Sequence, residues 1–130
     1  MLVDEHVDAV VARGHAEVML THDSPTLPYC TPEVGEIIRR NAADNPMEWP
    51  ERSLAYADQG LNLMTRAVLG VRPLFLAHGH FHVAGEGVVH LPGAAGSTTV
   101  WSLAARDDQG TVRVLDLDSL AEAEAPAAGC

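Results

Sequence analysis

The first half of the chain carries two stretches with the marks of helices. Valines recur at helical spacing between positions 3 and 11, which predicts a helix over about 3–13, and Gly14 stands where a helix C-cap would sit. Thr31-Pro32-Glu33 is a favourable helix start, because Thr can cap, Pro suits the first helical position and Glu favours the positive end of the dipole. We therefore expect a second helix to begin there.

A third helix is predicted further along the chain. Leu61, Met64 and Val68 are three and four residues apart, and this pattern ends near Gly70. Before it, residues 41–50 contain two prolines, which break regular structure. This intervening stretch is expected to be irregular.

Short apolar runs predict strands in the rest of the chain. Ala16–Leu20 and Pro73–Ala77 are mostly apolar, and a polar loop follows each of them. Beyond position 82, valines stand in short segments separated by glycine or aspartate clusters, and 85–87 and 107–110 are expected to form hairpin turns. The order of elements predicts an α/β fold, with helix and strand alternating first and an antiparallel strand meander at the C-terminus.

The size of the chain suits a single domain. It has 130 residues, of which we assign 1–120 to the domain and 121–130, rich in Ala, Glu, Pro and Gly, to a flexible tail. Apolar runs fall far short of the roughly 18 residues of a membrane span, and no secretory signal is visible at the N-terminus. Cys30 and Cys130 are interpreted as free thiols in a reducing compartment. These observations favour a cytoplasmic location.

The charge of the chain limits its partners. Eight basic and 18 acidic residues give a net charge of −10. Nucleic-acid binding requires a basic face, and adsorption to anionic membranes requires basic residues as well, so neither partner is expected. A small phosphate ester stays compatible with this charge, because a bound metal ion can invert the local field.

Histidines concentrate where two of the predicted strands end. The chain has seven, and His22 follows the first apolar run, whereas His80 and His82 follow the second. If these strands are parallel neighbours, their carboxyl ends meet at one edge of the sheet. On an extended backbone His80 and His82 would point to the same side, and His78 would share that side. His22, His80 and His82 are therefore candidate metal ligands.

The two histidine segments together resemble a known family. The blocks T-H-D-S-P at 21–25 and G-H-F-H at 79–82 are similar to the last two signature blocks of the calcineurin-like metallophosphoesterases. The resemblance implies a four-layer α/β/β/α sandwich and two divalent transition-metal ions such as Mn, Fe, Zn or Ni. It implies that His22 and His80 bind one ion and that His82 binds the other. The implied reaction is hydrolysis of a small phosphate ester by a metal-activated water.

Two neighbours of these histidines are expected to support the metal ligands. Asp23 stands where it could orient His22, although a turn is its ordinary role. Gly79 permits a backbone angle that other residues resist, or a close approach to a ligand.

The chain also departs from the family pattern. The earlier blocks that would supply the bridging aspartate and an asparagine are absent, and we interpret the D-E-H at 4–6 as part of a helix. The chain therefore resembles the C-terminal part of such an enzyme. We expect it to bind metal weakly, to be nearly inactive by itself and to expose one sheet face through which it self-associates.

Two other interpretations compete with this one. His80, His82 and Glu86 fit most of a cupin metal motif, although position 74 is Leu and no histidine follows His90. The chain could also be a non-enzymatic remnant of a phosphoesterase, in which these histidines no longer meet a metal ion.

Overall fold

The computed structural model of the protein describes residues 2–106 and 108–124. Its elements in chain order are α1 (Asp4–Ala12), β1 (Val18–Thr21), α2 (Pro32–Ala43), α3 (Glu51–Val71), β2 (Phe75–His78), β3 (Gly85–Val89), β4 (Thr98–Ser102), β5 (Val114–Asp116) and β6 (Ala121–Ala123). The mixed α/β class predicted from the sequence is confirmed. None of the helices in this described part is long and apolar enough to cross a membrane.

The main sheet has the strand order β1-β2-β4-β3. β1, β2 and β4 run parallel, and β3 pairs antiparallel with β4 at one edge. In this register Thr21 lies opposite His78, and His78 lies opposite Ser102. The carboxyl ends of the three parallel strands therefore form one edge of the sheet, where the loops that follow β1 and β2 come together.

One face of the main sheet packs against α1 and α3. Leu76 of β2 and Val100 of β4 are fully buried in a cluster with Val7 of α1 and Val68 of α3. Burial of such a side chain is worth roughly 1.5–3 kcal/mol, so this cluster supplies most of the apolar stabilisation of the fold. The helix start predicted at Thr31 is also confirmed, since its Oγ1 accepts the N–H of Val34 at 3.4 Å.

The other face of the main sheet is covered at its centre by the small sheet of β5 and β6. Phe75, Ala77 and Trp101 form a second buried cluster, against which Leu115 of β5 packs. The expectation that one face of the sheet is exposed is therefore only partly correct. At the outer strands this face stays open, as Leu20 is 73% exposed and Val88 is 60% exposed.

Arg113 joins the two sheets. Its guanidinium lies 3.6 Å from the centroid of the Trp101 ring and 2.8 Å from Oε2 of Glu86 on β3. It also lies 2.7 Å from Oε2 of Glu122 on β6. The hydrogen bonds that Arg113 donates to Glu122 and to Glu86 raise the pKa of Arg113, and the bond to Glu122 lowers the pKa of Glu122.

Several predicted elements differ in the structure. Residues 85–87, expected to be a turn, lie within β3, because glycine there lets α2 approach the strand: a Cβ on Gly85 would collide with the carboxylate of Glu33. The start of the predicted tail at 121–130 forms β6, which pairs with β5, and residues 125–130 lie outside the described part. The turn predicted at 107–110 includes Asp107, which also lies outside it.

The third helix and the C-terminal strands also depart from expectation. α3 is longer than the pattern of Leu61 to Val68 indicates, since it begins at Glu51, directly after Pro50, and α2 continues to Ala43, so the irregular stretch is 44–50. The meander is only partly antiparallel, because β4 pairs in parallel with β2. The described residues form a mixed sheet packed against helices, which differs from the small antiparallel barrel of the cupin interpretation, and Glu86 is paired with Arg113.

Candidate metal centre

The loops that follow β1 and β2 meet at the carboxyl edge of the main sheet. Because Thr21 and His78 are opposite one another, the next residues, His22 and Gly79, are neighbours across the two strands. The N–H of Gly79 donates to the carbonyl of His22 at 3.1 Å. This bond continues the strand pairing one step past the sheet and brings the two histidine segments together.

His22, Asp23 and His80 form a group at this edge. One oxygen of Asp23, Oδ1, lies 2.8 Å from Nδ1 of His22 and 3.5 Å from Nδ1 of His80. The two imidazole rings stand perpendicular, with centroids 5.3 Å apart. One candidate ligand atom from each of the three residues lies within 4.8 Å of the other two. Among the described residues this is the one group with such spacing.

The group is open to solvent and to a ligand. The side chains of His22, His80 and Asp23 are 78%, 50% and 35% exposed. Two imidazoles and a carboxylate are donors that suit Zn, Mn, Fe or Ni, so the residues present fit a transition-metal ion. If Asp23 accepts the Nδ1–H of both rings, each Nε2 stays free to bind such an ion, which is the usual arrangement of a carboxylate behind metal-binding histidines.

His80 lies in an unusual backbone turn. Its φ is 71°, and the N–H of Phe81 donates to the carbonyl of Gly79 at 2.9 Å. This three-residue hydrogen bond around a residue of positive φ is typical of a γ-turn, a conformation that costs a non-glycine residue about 1–3 kcal/mol. The surrounding contacts must hold His80 in this conformation.

His82 is not part of the group of His22, Asp23 and His80, although all three histidines were expected to converge at this edge. That expectation assumed an extended backbone, on which side chains two residues apart share a side. Instead His80 and His82 have φ values of 71° and 57°, and the chain turns after β2. His82 is exposed and lies outside the cluster of His22, Asp23 and His80.

Gly79 supports the site in a different way from the predicted one. It does not have a positive φ, and a Cβ at this position would meet only the carbonyl of His22, at 3.9 Å. Its backbone angle therefore does not require glycine, and the nearest protein atom leaves room for a Cβ. Its contribution is the N–H that it donates to His22, which any residue except proline could supply.

A buried pair of polar side chains beneath the group was not identified from the sequence. His78 and Ser24 are both fully buried, and Nε2 of His78 lies 3.4 Å from Oγ of Ser24. Nδ1 of His78 lies 3.1 Å from the carbonyl oxygen of Gly79, and Oγ of Ser24 donates to the carbonyl of Pro25 at 2.7 Å. Burial lowers the pKa of His78, which keeps its imidazole neutral near pH 7.

The sequence feature that could have indicated this pair is the position of His78 at the end of a central parallel strand. Such strands are covered on both faces, so a polar side chain at their end tends to be enclosed and hydrogen-bonded. A second buried pair lies along the same edge, where Oγ1 of Thr31 is 2.9 Å from Oγ of Ser102. The edge of the sheet that carries the exposed histidines therefore also carries two buried pairs of polar side chains.

No family model matches this sequence, and no curated protein or solved structure is similar enough to it to count as a match. Any functional conclusion therefore depends on the geometry of the sheet edge and on the two histidine segments themselves.

Proposed function

We propose that this chain carries metal-binding residues of a metal-dependent phosphoesterase and that it holds one divalent transition-metal ion through His22 and His80, with Asp23 supporting both. The observation that carries the proposal is the shared oxygen: Oδ1 of Asp23 lies beside Nδ1 of two imidazoles that come from different loops. A carboxylate between two histidines is how proteins commonly orient metal ligands.

The expected chemistry depends on the donors and their exposure. A transition-metal ion bound here would polarise a phosphoryl oxygen and lower the pKa of a bound water. The chain itself would hold the ion at the open edge of the sheet, where a small phosphate ester can reach it. Because the net charge is −10, attraction of a phosphate would depend on the charge of the bound ion.

The proposal includes a second ion and a larger fold. The family resemblance assigns His82 to a second ion, and His82 is not part of the first group. Within the described residues, His82 belongs to no group of three candidate ligands. We therefore propose that further ligands complete the second site. The packing of β5 and β6 on the main sheet also supports a sandwich of two sheets, of which the four-layer α/β/β/α form is the proposed complete state.

Metal titration tests the first site. Isothermal titration with Zn²⁺ is expected to give one site per chain, weakened at least about tenfold by His22→Ala or by His80→Ala. His6→Ala is the matched control, because His6 is exposed on α1 and should leave the affinity unchanged. Equal binding by the wild type and both site variants would contradict the proposal and favour a non-enzymatic remnant.

A hydrolysis assay tests whether the chain needs further metal ligands to be active. The chain with Mn²⁺ is expected to turn over p-nitrophenyl phosphate barely above the metal-only rate, because one ion cannot clamp both the attacking and leaving oxygens. Robust turnover that His80→Ala abolishes would show that this chain needs no further ligands.

A further inference from the structure

The two loops that carry the candidate ligands are joined below the surface by a contact between two side chains. Ser24 follows Asp23 in the loop after β1, and His78 precedes Gly79 and His80 at the end of β2. The contact of 3.4 Å between them spans 54 residues of sequence. Both side chains are fully buried, so this contact is enclosed whereas that of Asp23 with His80 is open to water.

His78 also acts on the turn that presents His80. The carbonyl oxygen of Gly79 accepts the N–H of Phe81 at 2.9 Å and lies 3.1 Å from Nδ1 of His78. In the tautomer with a proton on Nδ1 the ring donates to this oxygen, and Nε2 then lies 3.4 Å from the hydroxyl of Ser24, whose single proton is donated to the carbonyl of Pro25. His78 thus contacts the carbonyl that closes the turn and the loop of Asp23 at the same time.

These contacts meet a specific need of the site. His80 has a φ of 71°, which a histidine adopts only where its surroundings hold it there. An ion shared by two imidazoles tolerates little change in their separation, since ligands misplaced by an ångström lose the bond. Because its Nδ1 is hydrogen-bonded to Gly79 and its side chain is buried against Ser24, His78 is itself placed as a support and not as a ligand.

We propose that His78 and Ser24 are positioning residues of the metal centre, which lock the loops after β1 and β2 so that His22 and His80 can share one ion. This inference rests on the proposed metal-binding function. A role in packing alone predicts a different pattern, because an apolar ring of similar size would then serve as well as histidine.

The test compares two buried serines at the same sheet edge. Ser24→Ala removes the contact with His78, whereas Ser102→Ala removes a hydroxyl of equal burial whose hydrogen-bond partner is Thr31. With Co²⁺ as the probe, Ser24→Ala and His78→Phe are each expected to weaken binding about 10- to 100-fold. Ser102→Ala should bind as the wild type does, and His78→Asn, which can still donate to Gly79, should recover part of the loss. The absorption spectrum of bound Co²⁺ should change in Ser24→Ala and not in Ser102→Ala.

Amide hydrogen exchange in the metal-free chain gives a second measurement. The N–H of Gly79 joins the two loops and the N–H of Phe81 closes the turn at His80, and exchange at both should accelerate in Ser24→Ala and His78→Phe and stay unchanged in Ser102→Ala. Wild-type binding that depends on His22 and His80 but is insensitive to Ser24→Ala and His78→Phe would overturn this inference and leave the proposed function standing. Absence of any Co²⁺ binding by the wild type would overturn both.

Discussion

Thr21 and His78 are register partners at the carboxyl ends of β1 and β2. Their pairing decides what the next residues do, because His22 and Gly79 then meet across the strands and share a hydrogen bond of 3.1 Å. The candidate site is therefore a direct extension of parallel strand pairing. Substitutions in the loops after β1 and β2 should change metal binding more than they change the stability of the main sheet.

Asp23→Asn is expected to weaken metal binding about 10- to 100-fold, because the carboxylate oxygen that both Nδ1 atoms face loses its charge. The measurement is Zn²⁺ affinity by isothermal titration. Asp58→Asn on the exposed face of α3 makes the same change in net charge and is the control. If both variants lose affinity equally, the loss comes from the change in net charge, and Asp23 does not support the two histidines.

His80→Gly is expected to stabilise the metal-free chain while it abolishes metal binding. Glycine adopts a φ of 71° without strain, so the free energy of unfolding should rise by about 1 kcal/mol and the melting temperature by roughly 2–6 °C. His90→Gly, at an exposed position without a positive φ, should not stabilise the chain. Thermal unfolding followed by circular dichroism measures both; a lower melting temperature for His80→Gly would contradict the assigned strain.

Replacement by alanine should reduce stability at one glycine and leave it almost unchanged at another. Gly85→Ala brings a Cβ against the Glu33 carboxylate and within 2.8 Å of Oγ of Ser102, so we expect a loss of about 1–3 kcal/mol in the free energy of unfolding. Gly79→Ala has 3.9 Å of space before the nearest atom and should change it by less than about 0.5 kcal/mol. Urea unfolding of the two variants measures the difference, and a large loss in Gly79→Ala would mean that its loop is tighter than described.

The Arg113 contacts predict part of the pH dependence of stability. Arg113 lowers the pKa of Glu122 below its ordinary value of 4.5 in the folded chain. The unfolded chain therefore binds the proton more readily than the folded chain, so this contribution is present above pH 4.5 and is lost as the pH falls through the folded pKa. Glu122→Gln should lower the melting temperature near pH 7 and flatten its decline in acid.

The matched variant for this pH profile is Glu124→Gln, at an exposed glutamate two positions further on. Its melting temperature should follow the wild-type profile between about pH 3 and 7. If Glu122→Gln follows that profile too, the ion pair with Arg113 does not contribute to folding.

Elements with strong local signals were predictable from the sequence. The cap at Thr31 and the apolar run before His78 both form as expected, because capping and strand burial depend on nearby residues. The meeting of His22 and His80 followed from the position of each residue after a strand. A topological rule was sufficient there, since parallel strands bring their ends to one edge.

Features set by distant contacts were not predictable. Gly85 and Gly87 read as turn residues because nothing nearby in sequence reveals that α2 packs against them. The position of His82 depended on backbone angles after β2 that a histidine rarely adopts. The role of His78 depended on Ser24, which is 54 residues away.

The separation of 54 residues between Ser24 and His78 affects the rate of folding. α2 and α3 lie between the two loops, so the parallel pairing of β1 with β2 requires closure of a long loop, which is a slow kind of step in folding. His22 and His80 cannot come together until this pairing exists. In a refolding chain, the absorption change of Co²⁺ on binding would therefore report when the central strands pair. This signal is separate from the earlier signal of helix formation.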